Sequence, residues 1–359
     1  MDKQDPQITV VGVGGAGVNA VARLLDLGLG HVRFIATDTS GQTLQRVDGT
    51  RAQTILLSAV TRGLGTGGDA RRGAAAVLGS ERELHSALYG SGLVFIVAGL
   101  AGGTGGGGAP EVARVARAGG AVTIGLGVMP FGFESARRQA DAGAARNALA
   151  EACDTTVTLE NSRALAVAGA GVGIDVALRV ADDVIRQAVQ GLGELMADCG
   201  YINVDLAMVK DLLAEAGHGC LALGVGRGEA PAQAAMRAAL ASPLADMGAL
   251  GRAAAVLVQV TGGHDLAIDD TAAAVALLNA RLAPGCQLVV GASADMALTG
   301  AAQVTVLGTG LSAAVAGREP IPWRQPRRAS APAVGGVTAV GAVDTAEMDE
   351  RYLPVRRAV

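Results

Sequence analysis

The sequence predicts an α/β fold. It reads as a parallel-sheet N-terminal domain, a long central helix, a smaller α/β second domain and a disordered C-terminal tail. Three observations predict this. Short apolar runs such as "ITVV", "VRFIATD" and "SGLVFIVAGL" alternate with helical patterns, as in a doubly wound sheet covered on both faces. Glycine-rich turns follow the first and third of those runs. Apolar residues from Ile174 through Leu178, Ile185 and Leu192 to Leu195 recur at helical spacing over about 25 residues, ending near Gly200.

Composition narrows the class. The chain has 359 residues, 50% of them hydrophobic, enough for two ordinary domains with cores of their own. Aromatic residues make up only 2%, so Ala, Val, Leu and Ile must build those cores. A net charge of −4 calls for neither nucleic acid nor an anionic membrane. Cys153, Cys199, Cys220 and Cys286 are far apart and form no CxxC pair, which suits free thiols in a reducing cytoplasm. The opening "MDKQDPQ" is polar and unlike a signal peptide, and the longest apolar run, "LVFIVAGLA", is about half a membrane span. A cytoplasmic chain without membrane insertion is expected.

The first strand, Ile8 to Val11, leads into Gly12-Val13-Gly14-Gly15-Ala16-Gly17, and Val18, Val21, Ala22 and Leu25 then recur as in a helix. Strand, glycine turn and helix place an anion on a helix N-terminus, where free N–H groups and the helix dipole favour it. The second strand ends at Asp38. Gly12, Gly14 and Gly17 fit GxGxxG, and Asp38 lies about 20 residues on, where a dinucleotide fold keeps its ribose-binding acid. A nicotinamide enzyme is therefore one reading, and a tight βα turn without a ligand is another.

The third strand runs into "VAGLAGGTGGGGAP", residues 97–110, half of which is glycine. Glycine loses the most freedom on folding, so such a run implies positive φ angles or a close backbone approach. "PEVARVARAGG" follows as a helix with Pro110 in its first turn and Gly119 at its end. "AVTIGLGVMP" and "TTVTLEN" are further strands. Two glycine loops at strand ends, each opening a helix, offer two rows of amides, which suits a polyphosphate better than one pyrophosphate does. GxxxxGK[ST] is absent, so this is not a P-loop. Residues 218–312 repeat strand and helix patterns as a second unit, and "GREPIPWRQPRRASAPAVGG" begins a tail rich in Pro, Gly, Ala and Arg.

On these residues the chain resembles the tubulin/FtsZ family, in its bacterial cell-division branch, over residues 8–312. Ala101-Gly102-Gly103-Thr104-Gly105-Gly106-Gly107 is similar to the signature GGGTGTG. "TRGLGTGGD", "PFGFESARR", "CDTTVTLENSR", "ADDVIRQAVQG", "INVDLAMVK", "SPL" and "GGHDL" follow in the family's order. The resemblance implies a GTP-binding domain (6–172), the central helix (173–199), a C-terminal α/β domain carrying an interfacial loop (200–312) and a flexible tail (313–359).

The resemblance also implies GTP or GDP as ligand, with Mg2+ accompanying it and no protein metal cage. Gly14, Gly15 and Ala16 would run along the phosphates. Gly102, Gly103, Thr104, Gly105 and Gly107 belong to the loop that would cradle them, with the Thr104 hydroxyl as an added donor. The loop 61–69 would close over the γ-phosphate. Glu134 would accept from ribose hydroxyls and Arg138 would offset triphosphate charge. Asn19, Asn161 and Asp182 would read guanine. Implied partners are further copies of the chain, stacked head to tail, a standard FtsZ, and a division-site anchor or regulator reached through "RYLPVRRAV".

Several positions depart from the family pattern. Leu100 replaces its glutamate, Ala101 and Gly106 replace a glycine and a threonine of the signature, Leu178 replaces the ring that stacks on guanine, and Ser40 replaces an acid. The interfacial loop, NxDxxD or NxDxxE in the family, supplies catalytic carboxylates to the neighbouring subunit's GTP. Here Asn203 and Asp205 are present and Met208 stands at the second acid. Weak or interface-dependent hydrolysis is the expectation. A non-hydrolysing relative that modulates filaments of a standard FtsZ is the alternative.

Overall fold

The computed structural model describes residues 7–26, 29, 32–163, 174–194, 200–202, 204, 206–213, 217–242 and 247–311. Its strands are β1 (Gln7–Val13), β2 (Val32–Asp38), β3 (Gln53–Leu56), β4 (Ser91–Gly99), β5 (Val122–Met129), β6 (Thr155–Glu160), β7 (Gly217–Arg227), β8 (Ala255–Gly262), β9 (Gln287–Ala294) and β10 (Ala301–Leu311). Its helices are α1 (Gly14–Asp26), α2 (Gly41–Leu44), α3 (Ala70–Leu78), α4 (Glu81–Leu88), α5 (Gly103–Ala118), α6 (Ala136–Ala152), α7 (Ile174–Glu194), α8 (Leu206–Leu213), α9 (Pro231–Ala241), α10 (Met247–Leu250) and α11 (Ile268–Asn279).

The strands form one sheet in the order β3-β2-β1-β4-β5-β6-β7-β10-β8-β9. The first six pair in parallel, as the alternation of strand and helix predicts. β4 shows why its sequence is a continuous apolar run. Leu93, Phe95 and Val97 enter the core on one face, and Val94, Ile96 and Ala98 enter the core on the other. The sheet continues into the second unit across a short parallel junction, Thr155 with Gly217, Thr156 with His218 and Val157 with Gly219. There β10 lies antiparallel between β7 and β8.

The central helix spans Ile174–Glu194, with 195–199 outside the described residues. Val184, Ile185, Ala188, Val189 and Leu192 place it in the core that also holds Val21, Phe95, Leu221 and Leu307. One helix thus seals both halves of the sheet. The tail, 313–359, also lies outside the described residues. Cys153, Cys220 and Cys286 form no disulfide.

One expectation is corrected. Pro110 sits inside a helix that begins at Gly103, not in its first turn. The glycine run is itself helical, against its weak intrinsic propensity, because tertiary contacts select it. A Cβ on Gly107 would strike the carbonyl of Ala70, and one on Gly73 the carbonyl of Gly103. Bare backbone lets α3 and α5 touch main chain to main chain.

Candidate functional site

Two turns meet at the carboxyl ends of the parallel strands. The first joins β1 to α1 at Gly14, whose φ of +72° is the left-handed conformation that favours glycine. A side chain there would also press on the Gly105 amide nitrogen, 2.8 Å from the Cβ position. The second turn joins β4 to α5, with Gly102 at the N-cap. No side chain caps this helix, so the amides of Gly103, Thr104 and Gly105 have no intrahelical acceptor.

These turns line a cleft of about 290 Å³ with Thr66, Pro130, Glu134, Arg138 and Asn161. Gly15 and Ala16 are exposed beside it. Glu134 accepts from the Phe131 amide at 2.8 Å and from Arg138 Nε at 2.6 Å, so the two expected sugar and phosphate contacts are also paired with each other. Asn161 is 7% exposed, and its Oδ1 has no hydrogen-bond partner. A buried acceptor left open in a cleft fits a ligand that brings a donor.

The glycines divide into two roles. Gly14, Gly15, Gly102, Gly103 and Gly105 line the cleft, whereas Gly107 faces Ala70 and does not. A Cβ on Gly103 would meet the Asp69 amide and the Gly68 carbonyl carbon, both 2.7 Å away. Among the glycines that line the cleft, only at Gly15 and Gly102 does the space around the missing Cβ hold no atom nearer than ordinary contact. The bare backbone thus serves helix packing as much as ligand approach, a division that glycine counting does not reveal.

The remaining expected residues lie elsewhere. Asn19 is on α1, and its Oδ1 accepts from Arg46 Nη1 at 3.1 Å. One turn further along α1, Arg23 is ion-paired with Asp182 of α7. Asn19 and Asp182 are thereby gathered beside one face of α1, outside the residues that line the cleft. Leu178, one turn before Asp182 on α7, is half-buried.

Asn203 and Asp205 lie outside the described residues. Their neighbour Ile202 is described. It exchanges backbone hydrogen bonds with Ala292 of β9, at 3.0 and 3.1 Å. β9 is the last strand of the sheet, six steps from β4, or about 29 Å at the usual strand spacing. Met208, on the exposed side of α8, is 52% accessible.

Sequence reasoning missed Thr39. It is fully buried, and its hydroxyl stands 2.6 Å from that of Thr104, so the Thr104 hydroxyl is already engaged. Its position directly after Asp38, at a strand's carboxyl end, was the available signal. Asp38 is 4% exposed, and its carboxylate accepts from the Ser40 amide at 3.0 Å and the Thr39 hydroxyl at 3.4 Å. It is turned inward and does not offer itself to a ribose. Burial pushes its pKa up, against the lowering by its hydrogen bonds to Ser40, Thr39 and Thr43.

Residues 7–169 match the GTPase domain of the Tubulin/FtsZ family, and residues 217–312 match the C-terminal domain of the FtsZ family. The fold superimposes on an empty FtsZ dimer from M. jannaschii with a TM-score of 0.79 and 35% identity, covering 86% of this chain and 89% of that one. This chain belongs to the tubulin/FtsZ family.

CetZ2 from Haloferax volcanii, solved as a GTPγS-bound protofilament, is 26% identical with a TM-score of 0.71, over 86% of this chain and 94% of its own. CetZ1 from the same organism, solved as a GDP-bound monomer, is 19% identical with a TM-score of 0.70, over 86% and 95%, and shares the fold. A tubulin/FtsZ GTPase domain implies binding of GTP or GDP, and the two amide rows and the open Asn161 acceptor fit that ligand. Among the described residues, no helix is long and apolar enough to cross a membrane.

Proposed function

We propose that this chain binds GTP in the glycine-lined cleft, assembles head to tail into cell-division filaments, and hydrolyses the nucleotide slowly. The observation that carries the reading is the meeting of two amide rows, from Gly14–Ala16 and Gly102–Gly105, at adjacent strand ends. Their N–H groups hold phosphate oxygens, and the α5 dipole favours the charge. Glu134 accepts from ribose, Arg138 offsets charge, and Asn161, Asn19 and Asp182 face the base. Mg2+ would accompany the phosphates and offset their charge. Among the described residues no group of three His, Cys, Asp or Glu side chains is placed to hold a metal.

Hydrolysis needs a second subunit. Ile202 pairs with β9 at the far edge of the sheet from the cleft, which supports a reading in which a neighbouring chain supplies the catalytic loop. A contact that is not self-complementary and does not close on itself builds an open filament. In that filament Asn203 and Asp205 orient the attacking water. GTP supplies the phosphoanhydride bond that is cleaved. Met208 has a thioether where a second proton acceptor belongs, and losing a positioned acid or base costs about 10²–10⁴-fold. The same substitution favours a second reading, in which the chain modulates filaments of a standard FtsZ without hydrolysing. The tail would carry either protein to an anchor at the division site.

The test is the nucleotide retained by purified protein, identified by mass after denaturation, followed by sedimentation with GTP, GDP or ATP. Guanine nucleotide and GTP-dependent pelleting are expected. Recovery of NAD without guanine nucleotide overturns the reading. Pelleting only with an added standard FtsZ selects the second one.

A further inference from the structure

Three side chains form a line from the sheet into the cleft. Asp38 closes β2 and is 4% exposed, Thr39 is 0% exposed, and Thr104 is 7% exposed and lines the cleft. The Thr39 hydroxyl lies 3.4 Å from Asp38 Oδ1 and 2.6 Å from the Thr104 hydroxyl. Each hydroxyl has one proton to give and two lone pairs to receive with, and an ionised carboxylate can only receive. Two oxygens 2.6 Å apart must share a proton.

With Asp38 ionised, two arrangements are possible. In one, Thr104 donates to Thr39 and Thr39 donates to Asp38. In the other, Thr39 donates to Thr104 and gives nothing to Asp38. A carboxylate this deeply buried loses by giving up a donor. Only the first arrangement runs every dipole toward the charge, so that each bond strengthens the next. We propose that Asp38, acting through Thr39, turns the Thr104 proton away from the cleft, so that Thr104 meets the nucleotide as a hydrogen-bond acceptor.

This reverses the donor role expected of Thr104. Lone pairs facing an anion repel it, so the Thr104 hydroxyl does not hold a phosphate oxygen, which is left to the amides. It accepts a hydrogen bond from a water of the hydrated cation that accompanies the phosphates. Asp38 is then a positioning residue that makes triphosphate affinity depend on Mg2+. The inference rests on the GTP reading given above.

The test uses the full chain and its Asp38→Ala and Thr39→Val variants, with GTP affinity measured by calorimetry in Mg2+ and in EDTA. Thr39→Val frees the Thr104 proton for phosphate. Asp38→Ala removes the oxygen that accepts from Thr39, so Thr39 can turn its proton to Thr104, and it keeps the test open if Thr39→Val fails to fold. Thermal melts establish folding. Both variants should bind GTP in EDTA about three- to tenfold more tightly than the parent, with a smaller gain from Mg2+. A purely structural role cannot produce tighter binding. Folded variants with unchanged or weaker affinity in EDTA overturn the relay alone, whereas a parent that binds no GTP in either buffer overturns both the relay and the GTP reading.

Discussion

Arg23 of α1 and Asp182 of α7 form an ion pair that joins the nucleotide half of the sheet to the central helix. Arg23 is 40% and Asp182 19% accessible, so the pair itself adds little to stability. Asn19 lies one turn before Arg23 on the same helix.

Asp182→Ala should leave the fold intact and reduce the preference for GTP over ATP. Guanine donors that lose an acceptor cost about 1–3 kcal/mol. Competitive titration of the two nucleotides measures this. Unchanged discrimination would reduce Asp182 to the packing partner of Arg23. Leu178→Phe, which adds a ring one turn away, should tighten GTP binding modestly.

The glycines should separate by role. Gly103→Val drives its side chain into the Gly68–Asp69 backbone, so it should destabilise the domain by about 1–3 kcal/mol or more in a denaturant titration. Gly102→Ala adds a Cβ that meets nothing nearer than the Gly99 carbonyl oxygen at 3.5 Å, on a backbone with an ordinary φ of −89°. It should keep the fold to within about 1 kcal/mol and weaken GTP binding. Equal stability of the two variants would contradict this division.

Met208→Asp tests catalysis. Met208 is exposed, and the first turn of α8 holds no acid, so a carboxylate there complements the helix dipole and leaves the fold undisturbed. Phosphate release above the assembly concentration should rise at least about tenfold over the parent. A parent that already turns over rapidly, with no gain on substitution, would refute slow hydrolysis.

Glu194 should make stability depend on pH. It is half-buried at the end of α7, where the Thr261 hydroxyl donates to it and Gln190 Nε2 donates at 3.0 Å. Burial raises its pKa above the ordinary 4.5, against the lowering by these donors. A raised acid favours folding while protonated. Its contribution is complete below the ordinary value and disappears as pH rises through the raised one. Melting temperatures of the parent should therefore fall across that window relative to Glu194→Gln. Parallel curves for the two proteins would show that Glu194 does not titrate there.

Periodicity and punctuation in the sequence were enough to determine the parallel strands, the two glycine turns and the central helix. Those signals are local: β4 is apolar throughout because both of its faces are covered, and α7 repeats at helical spacing because one stripe is buried. The motif order also identified the family and Met208. Tertiary structure alone decided the rest. Pro110 lies mid-helix because α3 presses on the bare backbone of Gly103 and Gly107, a contact between segments that no local propensity encodes. The single sheet through both units depends on the junction of β6 with β7, across more than fifty intervening residues. The Asp38–Thr39–Thr104 line joins side chains 65 positions apart at its longest bond. Sequence spacing specifies which face of an element is apolar, whereas hydrogen-bond direction and backbone contact depend on distances that exist only once the elements have packed.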